Sequence, residues 1–144
     1  MEDIQQYNFI VKSNIHNYEV NFIDNVKKSL ETELKEGDFI IIDNKVKSLY
    51  PDWFEDILVN YNYIGIDAAE SQKSYQEVEP VINTLIERGF RKNHRLIAIG
   101  GGITQDVTAF IASILYRGVQ WYFFPTTLLA QGDSCIGSKT SINF

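Results

Sequence analysis

The sequence predicts an α/β fold: a largely parallel sheet with helices on both faces, preceded by an N-terminal β-hairpin. Three observations carry this. Short β-branched and apolar runs alternate with amphipathic stretches of helical length, and such an alternation implies parallel strands joined by crossovers. The run "FIIID" (39–43) is continuously apolar rather than alternating, as a strand covered on both faces must be. The stretch "IAIGGGITQDVTAF" (97–110) passes from an apolar run through three consecutive glycines into a helical pattern.

The elements follow in order. "YNFIVKS" and "YEVNFI" are aromatic and β-branched, and "NIHN" between them reads as a polar turn, giving the hairpin. "DNVKKSLETELKEGD" carries Val26, Leu30 and Leu34 at four-residue spacing, with Asp24 as candidate N-cap and Gly37 as stop, so it predicts an amphipathic helix. After "FIIID" come a loop and a helix around "PDWFEDILVN", with Pro51 near its start. "YIGID" is the next strand. "SYQEVEPVINTLIERGF" places Val78, Ile82, Leu85 and Ile86 on one helical face, ends at Gly89 and requires Pro80 to sit in the first turns. Strand "RLIAIG", helix "TQDVTAFIASILYRG", strand "WYFF" and helix "TTLLAQGDSCIG" complete a Rossmann-like succession.

Composition narrows the function classes. A chain of 144 residues with 44% hydrophobic and 13% aromatic content is the size and make-up of one folded domain. A net charge of −6 argues against nucleic acid as a partner, because a phosphate-backbone binder shows a clustered basic face. Cys135 is the single cysteine, which excludes a disulfide framework and a thiolate zinc cluster and suits a reducing compartment. The start "MEDIQQYNF" lacks the apolar core of a secretory signal and no run reaches membrane-spanning length, so the expected location is the cytoplasm, with no membrane partner. The end "SKTSINF" stops on an apolar residue without a cap or polar tail, and the expectation is a chain truncated at Phe144.

The glycines admit two readings. In a parallel sheet, ligands lie beyond the carboxyl ends of the strands, and a glycine-rich strand-to-helix turn lets backbone approach a phosphate at a helix N-terminus. Gly100, Gly101 and Gly102 suit that task, although their spacing is not G-x-G-x-x-G. The alternative is a tight turn requiring positive φ, with Asp106 as a favourable acid in the helix's first turn. Downstream, Arg117, Asp133 and Lys139 stand around a strand end and its following helix, a mixture suited to a hydroxylated, anionic substrate. Each also has a plain reading, as a cation at a helix C-terminus or as solvated surface charge.

Taken together, GGG-x3-D (100–106), YRG (116–118), PTTLLAQ-x-DS (125–134) and GxK (137–139) resemble the 3-dehydroquinate synthase family of sugar-phosphate cyclases. The likeness is dense over 97–143 and weaker at "IIDNK" and "AAESQKS". It implies that residues 1–144 are an NAD-binding N-terminal domain, with Asp43 on the adenine-side ribose and Asn44 and Lys45 in the same loop. A carboxylate that accepts from two adjacent hydroxyls suits that role. By the same resemblance Glu70 and Lys73 touch the cofactor, Gly101, Gly102 and Ile103 lie along the pyrophosphate, Asp106 takes the cofactor's other end, and Thr126 and Thr127 complete the site. Arg117, Asp133 and Lys139 are then substrate contacts. The family's arginine can come from a neighbouring subunit, which implies a homodimer.

The implied reaction is that of a lyase. A substrate hydroxyl is oxidised by NAD, phosphate is eliminated, the hydride is returned, and ring opening with an aldol step closes a carbocycle, turning 3-deoxy-D-arabino-heptulosonate 7-phosphate into 3-dehydroquinate in the shikimate pathway. The family also uses a divalent metal, zinc or cobalt, held by a glutamate and two histidines of a second, C-terminal domain. His16 and His94 have no matching cluster, so the metal ligands are expected beyond Phe144 and the isolated chain is expected to be inactive. Gln105, Ala109 and Ser138 stand where the family commonly has glycine, and "AAE" replaces "DGE". These departures keep open a cyclase acting on sedoheptulose 7-phosphate or glucose 6-phosphate. Metal-dependent alcohol dehydrogenases, which consume NAD, resemble this family in fold and also carry GGG-x3-D, but the PTTLLAQ-x-DS run argues against them; a non-catalytic NAD-binding fragment lacking the metal domain is the third reading.

Overall fold

A computed structural model of the chain describes residues 4–12 and 18–127. The chain forms two compact units, Met1–Leu34 and Lys35–Phe144. In the first, strands β1 (Phe9–Val11) and β2 (Tyr18–Val20) pair antiparallel with Phe9 opposite Val20, which is the expected hairpin. The Phe22 N–H donates to Asn8 Oδ1 (2.6 Å), and the Phe22 ring lies 6.1 Å from Tyr7 and 6.4 Å from Phe9. Helix α1 (Val26–Glu33) is capped by Asn25, whose side chain accepts from the Lys28 N–H at 3.0 Å. The cap is therefore Asn25 and not Asp24: the extended backbone of Asn25 (φ −139°) brings its oxygen over the first turn.

The second unit is built on four parallel strands, β3 (Phe39–Asp43), β4 (Asn62–Ile66), β5 (Arg95–Gly100) and β6 (Gln120–Pro125), in the order β4-β3-β5-β6. Every residue of β3 and β5 is buried, which covers both faces of the sheet. Phe39, Ile41 and Leu96 pack with Val78, Val81 and Leu85 of α4 (Tyr75–Glu87) and with Val107 and Ile111 of α5 (Gly102–Ile114). The alternate residues Ile40, Ile42, Ile97 and Ile99 point to the other face. Right-handed crossovers put α2 (Asn44–Leu49) and α3 (Pro51–Asn60) there, with Val46, Phe54 and Ile57 buried.

Two expectations are corrected. Residues 44–49 form a helix rather than a loop, because the Asp43 carboxylate accepts from the Lys45 N–H (2.8 Å) and caps α2 as the strand ends. In α4 the buried stripe is Val78, Val81 and Leu85, while Ile86 is 51% exposed. At 100° per residue Ile86 lies about 100° from the centre of that stripe, outside its reach.

Helix α5 starts two residues before the expected Thr104. Thr126 and Thr127 are not helical, and the rest of the expected helix 126–137 lies outside the described residues. No helix among the described residues is long and apolar enough to cross a membrane.

The strand order fixes where a ligand can sit. The chain moves from β3 outward to β4, then returns across β3 to β5 and continues to β6. The reversal leaves a crevice between the carboxyl ends of β3 and β5, occupied by Asp43 on one side and Gly100 on the other.

Candidate functional site

The crevice is shaped by what its glycines lack. None of Gly100, Gly101 and Gly102 has positive φ, so the reading of a tight turn is set aside. At Gly100 a Cβ would stand 2.4 Å from Thr104 Oγ1 and 3.2 Å from the Asp43 Cβ; its absence lets β3 and α5 close on the strand end. At Gly101 a Cβ would stand 2.9 Å from Thr127 Cγ2, so its absence lets the segment after β6 approach the turn. The Thr126 N–H donates to the Gly100 carbonyl (2.8 Å) and ties that segment down.

Gly101 is the N-cap of α5, in extended conformation (φ −97°), and no side chain caps the helix. The first N–H groups of a 13-residue helix thus face the crevice with their partial positive charge. The hydroxyl oxygens of Thr104 and Thr126 are buried with no hydrogen-bond partner among the described residues. Thr104 stands in the first turn of the uncapped helix and Thr126 follows β6 beside it.

A second group flanks the turn. Lys73, at the end of the 3-10 turn Glu70–Lys73, reaches Asp106 Oδ2 at 3.0 Å and Glu70 Oε1 at 3.5 Å. The hydrogen bond to Asp106 raises the Lys73 pKa above its ordinary value, burial opposes this, and the Asp106 and Glu70 charges add to the rise. Asp106 lies one turn into α5 rather than in its first turn, and its partner Lys73 accounts for it there. Asn44 donates from Nδ2 to Asp67 Oδ1 (3.0 Å), linking the ends of β3 and β4. Asp67 was not anticipated, although "FIIID" and "YIGID" both end in aspartate at the same edge.

Asp43, Asn44, Lys45, Glu70, Lys73, Gly101, Gly102, Ile103, Asp106, Thr126 and Thr127 therefore all belong to the carboxyl edge of the sheet or the turns beside it. Arg117 does not. It follows α5, whose 13 residues span about 20 Å, and precedes β6, so it stands at the amino edge. Asp133 and Lys139 lie outside the described residues.

The donor set fits a dinucleotide: a carboxylate at one strand end, an uncapped helix N-terminus at the next, and free hydroxyls between. It does not fit a metal, since no group of three or more His, Cys, Asp or Glu among the described residues could hold one. His94 serves its own loop, accepting at Nδ1 from the Arg91 N–H (3.0 Å) beside the Phe90 ring.

The family model described as 3-dehydroquinate synthase N-terminal matches residues 63–144. The 3-dehydroquinate synthase of Buchnera aphidicola subsp. Cinara cedri is 40% identical over 102 residues, 71% of this chain and 28% of that protein. That of Streptococcus equi subsp. equi is 37% identical over 140 residues, 93% of this chain and 39% of that protein. The chain thus spans well under half the length of these curated relatives.

Among solved structures, 2-deoxy-scyllo-inosose synthase complexed with carbaglucose-6-phosphate, NAD+ and Co2+ superposes with a TM-score of 0.80. The match covers 95% of this chain and 40% of that one at 22% identity, and it shows the fold. The 2-epi-5-epi-valiolone synthase of Streptomyces hygroscopicus subsp. jinggangensis, with NAD+ and Zn2+ bound, is 33% identical with a TM-score of 0.66, over 74% of this chain and 31% of that one. With its parallel sheet, its glycine turn at the switch point and these relatives, the chain belongs to the 3-dehydroquinate synthase family.

Proposed function

We propose that this chain is the NAD-binding part of a 3-dehydroquinate synthase-type lyase, which converts 3-deoxy-D-arabino-heptulosonate 7-phosphate to 3-dehydroquinate and phosphate. The observation that carries the reading is the meeting of Asp43, the uncapped N-terminus of α5 and the unpartnered hydroxyls of Thr104 and Thr126 in one crevice. Asp43 accepts from the two hydroxyls of the adenine-side ribose with the acceptor capacity its cap bond leaves free. Gly101, Gly102 and Ile103 bring backbone N–H groups to the pyrophosphate. Lys73 holds Asp106 in place for the far end of the dinucleotide, with Glu70 alongside.

NAD supplies a reversible hydride acceptor, so a ketone formed at a substrate hydroxyl acidifies the adjacent C–H for loss of phosphate and is then reduced again within one turnover. The protein's part is to hold substrate against the cofactor and exclude water. Asp133, Lys139 and Arg117 take the substrate in this reading. In this reading Arg117, at the opposite edge of the sheet from the crevice, serves the site of a second copy, as the family resemblance implies, and the working unit is a homodimer. A divalent metal belongs to the proposed reaction, but the described residues provide no site for it and no step is assigned to it.

A second reading keeps the cofactor and changes the substrate. The likeness to 2-epi-5-epi-valiolone synthase and the buried Gln105 at the start of α5 favour a cyclase acting on sedoheptulose 7-phosphate or glucose 6-phosphate.

The test is phosphate release by the full-length natural product, supplied with NAD, zinc and each sugar phosphate in turn. Release from the heptulosonate phosphate with 3-dehydroquinate formed and no net NADH supports the first reading. Release from another sugar phosphate alone moves the protein to the second. No release from any of them, by protein that binds NAD, rules out both.

A further inference from the structure

The backbone between α5 and β6 is strained for no reason that connection alone requires. Tyr116 (φ 51°, ψ 33°), Arg117 (φ 65°) and Gly118 (φ 104°) are consecutive residues in the left-handed region. The Gly118 N–H donates to the Leu115 carbonyl (2.9 Å), so Tyr116 and Arg117 are the central pair of a primed turn, where asparagine and glycine are the favoured residues. A tyrosine and an arginine with Cβ atoms are costly in both positions.

Two contacts from one loop hold the turn. Tyr116 Oη donates to the Phe90 carbonyl (2.8 Å), and Lys92 Nζ donates to the Gly118 carbonyl. The Val119 N–H donates to the Ala112 carbonyl (2.8 Å) and closes the turn behind them. Arg117 between these anchors is exposed, and it has no hydrogen bond, ion pair or ring contact among the described residues.

We infer that Tyr116 and Lys92 are positioning residues: they clamp the strained turn so that Arg117 is presented, already ordered, to the phosphate-bearing substrate in the site of a second copy. The inference rests on the proposed function. A guanidinium on a rigid turn loses less freedom on meeting a planar or tetrahedral anion than one on a mobile loop. A clamp at both flanks of the arginine also explains why the chain tolerates two unfavourable residues where Asn-Gly would relax it.

The experiment uses the full-length protein with Tyr116→Phe and Lys92→Met, each alone and in an Arg117→Ala background. The readouts are the Kd for a phosphonate analogue of the sugar phosphate, the KM and kcat for phosphate release, and the Kd for NAD. Each clamp variant is expected to raise the phosphonate Kd and the KM about three- to tenfold, with kcat changed less than twofold and the NAD Kd unchanged. In the Arg117→Ala background both effects should fall below twofold, because a residue that acts through another has nothing left to act on. Equal penalties with and without Arg117, or wild-type affinity in both clamp variants, would overturn the inference alone. Absence of phosphonate binding by the wild type would remove the proposed function and the inference with it.

Discussion

Replacing Gly101 by alanine should damage cofactor binding while sparing the fold, and replacing Gly100 should do the reverse. Gly101 has φ −97° and ψ −159°, a conformation open to any L-residue, so the added methyl brings no backbone strain. Its Cβ would stand 2.9 Å from Thr127 Cγ2, whereas carbon atoms rest at about 3.5–4.0 Å, so Thr127 must give way by roughly 0.6–1 Å. The cap position adds only about 0.5–1 kcal/mol for alanine in place of glycine. A displacement near 1 Å at the proposed dinucleotide site is expected to weaken NAD by about 10- to 100-fold.

At Gly100 the methyl would meet Thr104 Oγ1 at 2.4 Å, Thr104 Cβ at 2.8 Å and Asp43 Cβ at 3.2 Å, all close to backbone and all buried. Overpacking of that kind costs about 1–3 kcal/mol of stability. Calorimetric NAD titration and thermal melting of both variants, in the full-length protein, separate the two effects. If Gly101→Ala kept wild-type NAD affinity, or lost affinity only in proportion to stability, the assignment of the glycine turn to the cofactor would be refuted.

Further predictions concern the charges. Asp38 and Arg95 form a buried bidentate pair at the amino edge, with Arg95 Nε 2.9 Å from Oδ1 and Nη2 2.6 Å from Oδ2, and the Arg95 guanidinium 4.6 Å from the Tyr122 ring. Asp38→Asn is expected to cost about 3–5 kcal/mol in denaturant unfolding without changing NAD affinity per folded molecule, since the pair lies at the far end of the sheet from the crevice. The raised pKa of Lys73 gives its pairing with Asp106 a defined pH range: the stabilisation is complete below the ordinary lysine pKa of 10.5 and disappears as pH rises through the higher folded-state value. A melting-temperature profile should therefore fall less steeply above pH 10 in Lys73→Met than in wild type. Parallel profiles for the two proteins would sink that assignment.

What could be read from the sequence was what depends on local pattern. The continuous apolar run of β3, the glycine punctuation after β5 and the proline opening α3 each act within a few residues of themselves, and each is where it was expected. Asp43 misled because it has two tasks: it ends a buried strand and caps the helix that follows, and the second task was hidden by the first. Ile86 misled because periodicity shows that a helix has an apolar face but not how wide a stripe its neighbours cover.

The pairings of Lys73 with Asp106, Asn44 with Asp67 and Asp38 with Arg95 join residues more than twenty positions apart, and no local spacing encodes them. The residues that the family resemblance singles out for the cofactor stand at one edge of the sheet or in the turns beside it. The resemblance could not show that Arg117, close to them in sequence, stands at the other edge, since that follows from the direction in which α5 and β6 run.

The most direct test of the central claim, that the crevice between β3 and β5 holds NAD, is a calorimetric NAD titration of the full-length protein and its Asp43→Asn variant. Asparagine keeps an oxygen to cap α2 but presents one accepting oxygen where the carboxylate presents two, so the helix should remain and the ribose contact should weaken. The account predicts a loss of about tenfold in NAD affinity, or about 1.4 kcal/mol, with melting temperature little changed. Undiminished NAD binding by a folded Asp43→Asn protein would contradict it.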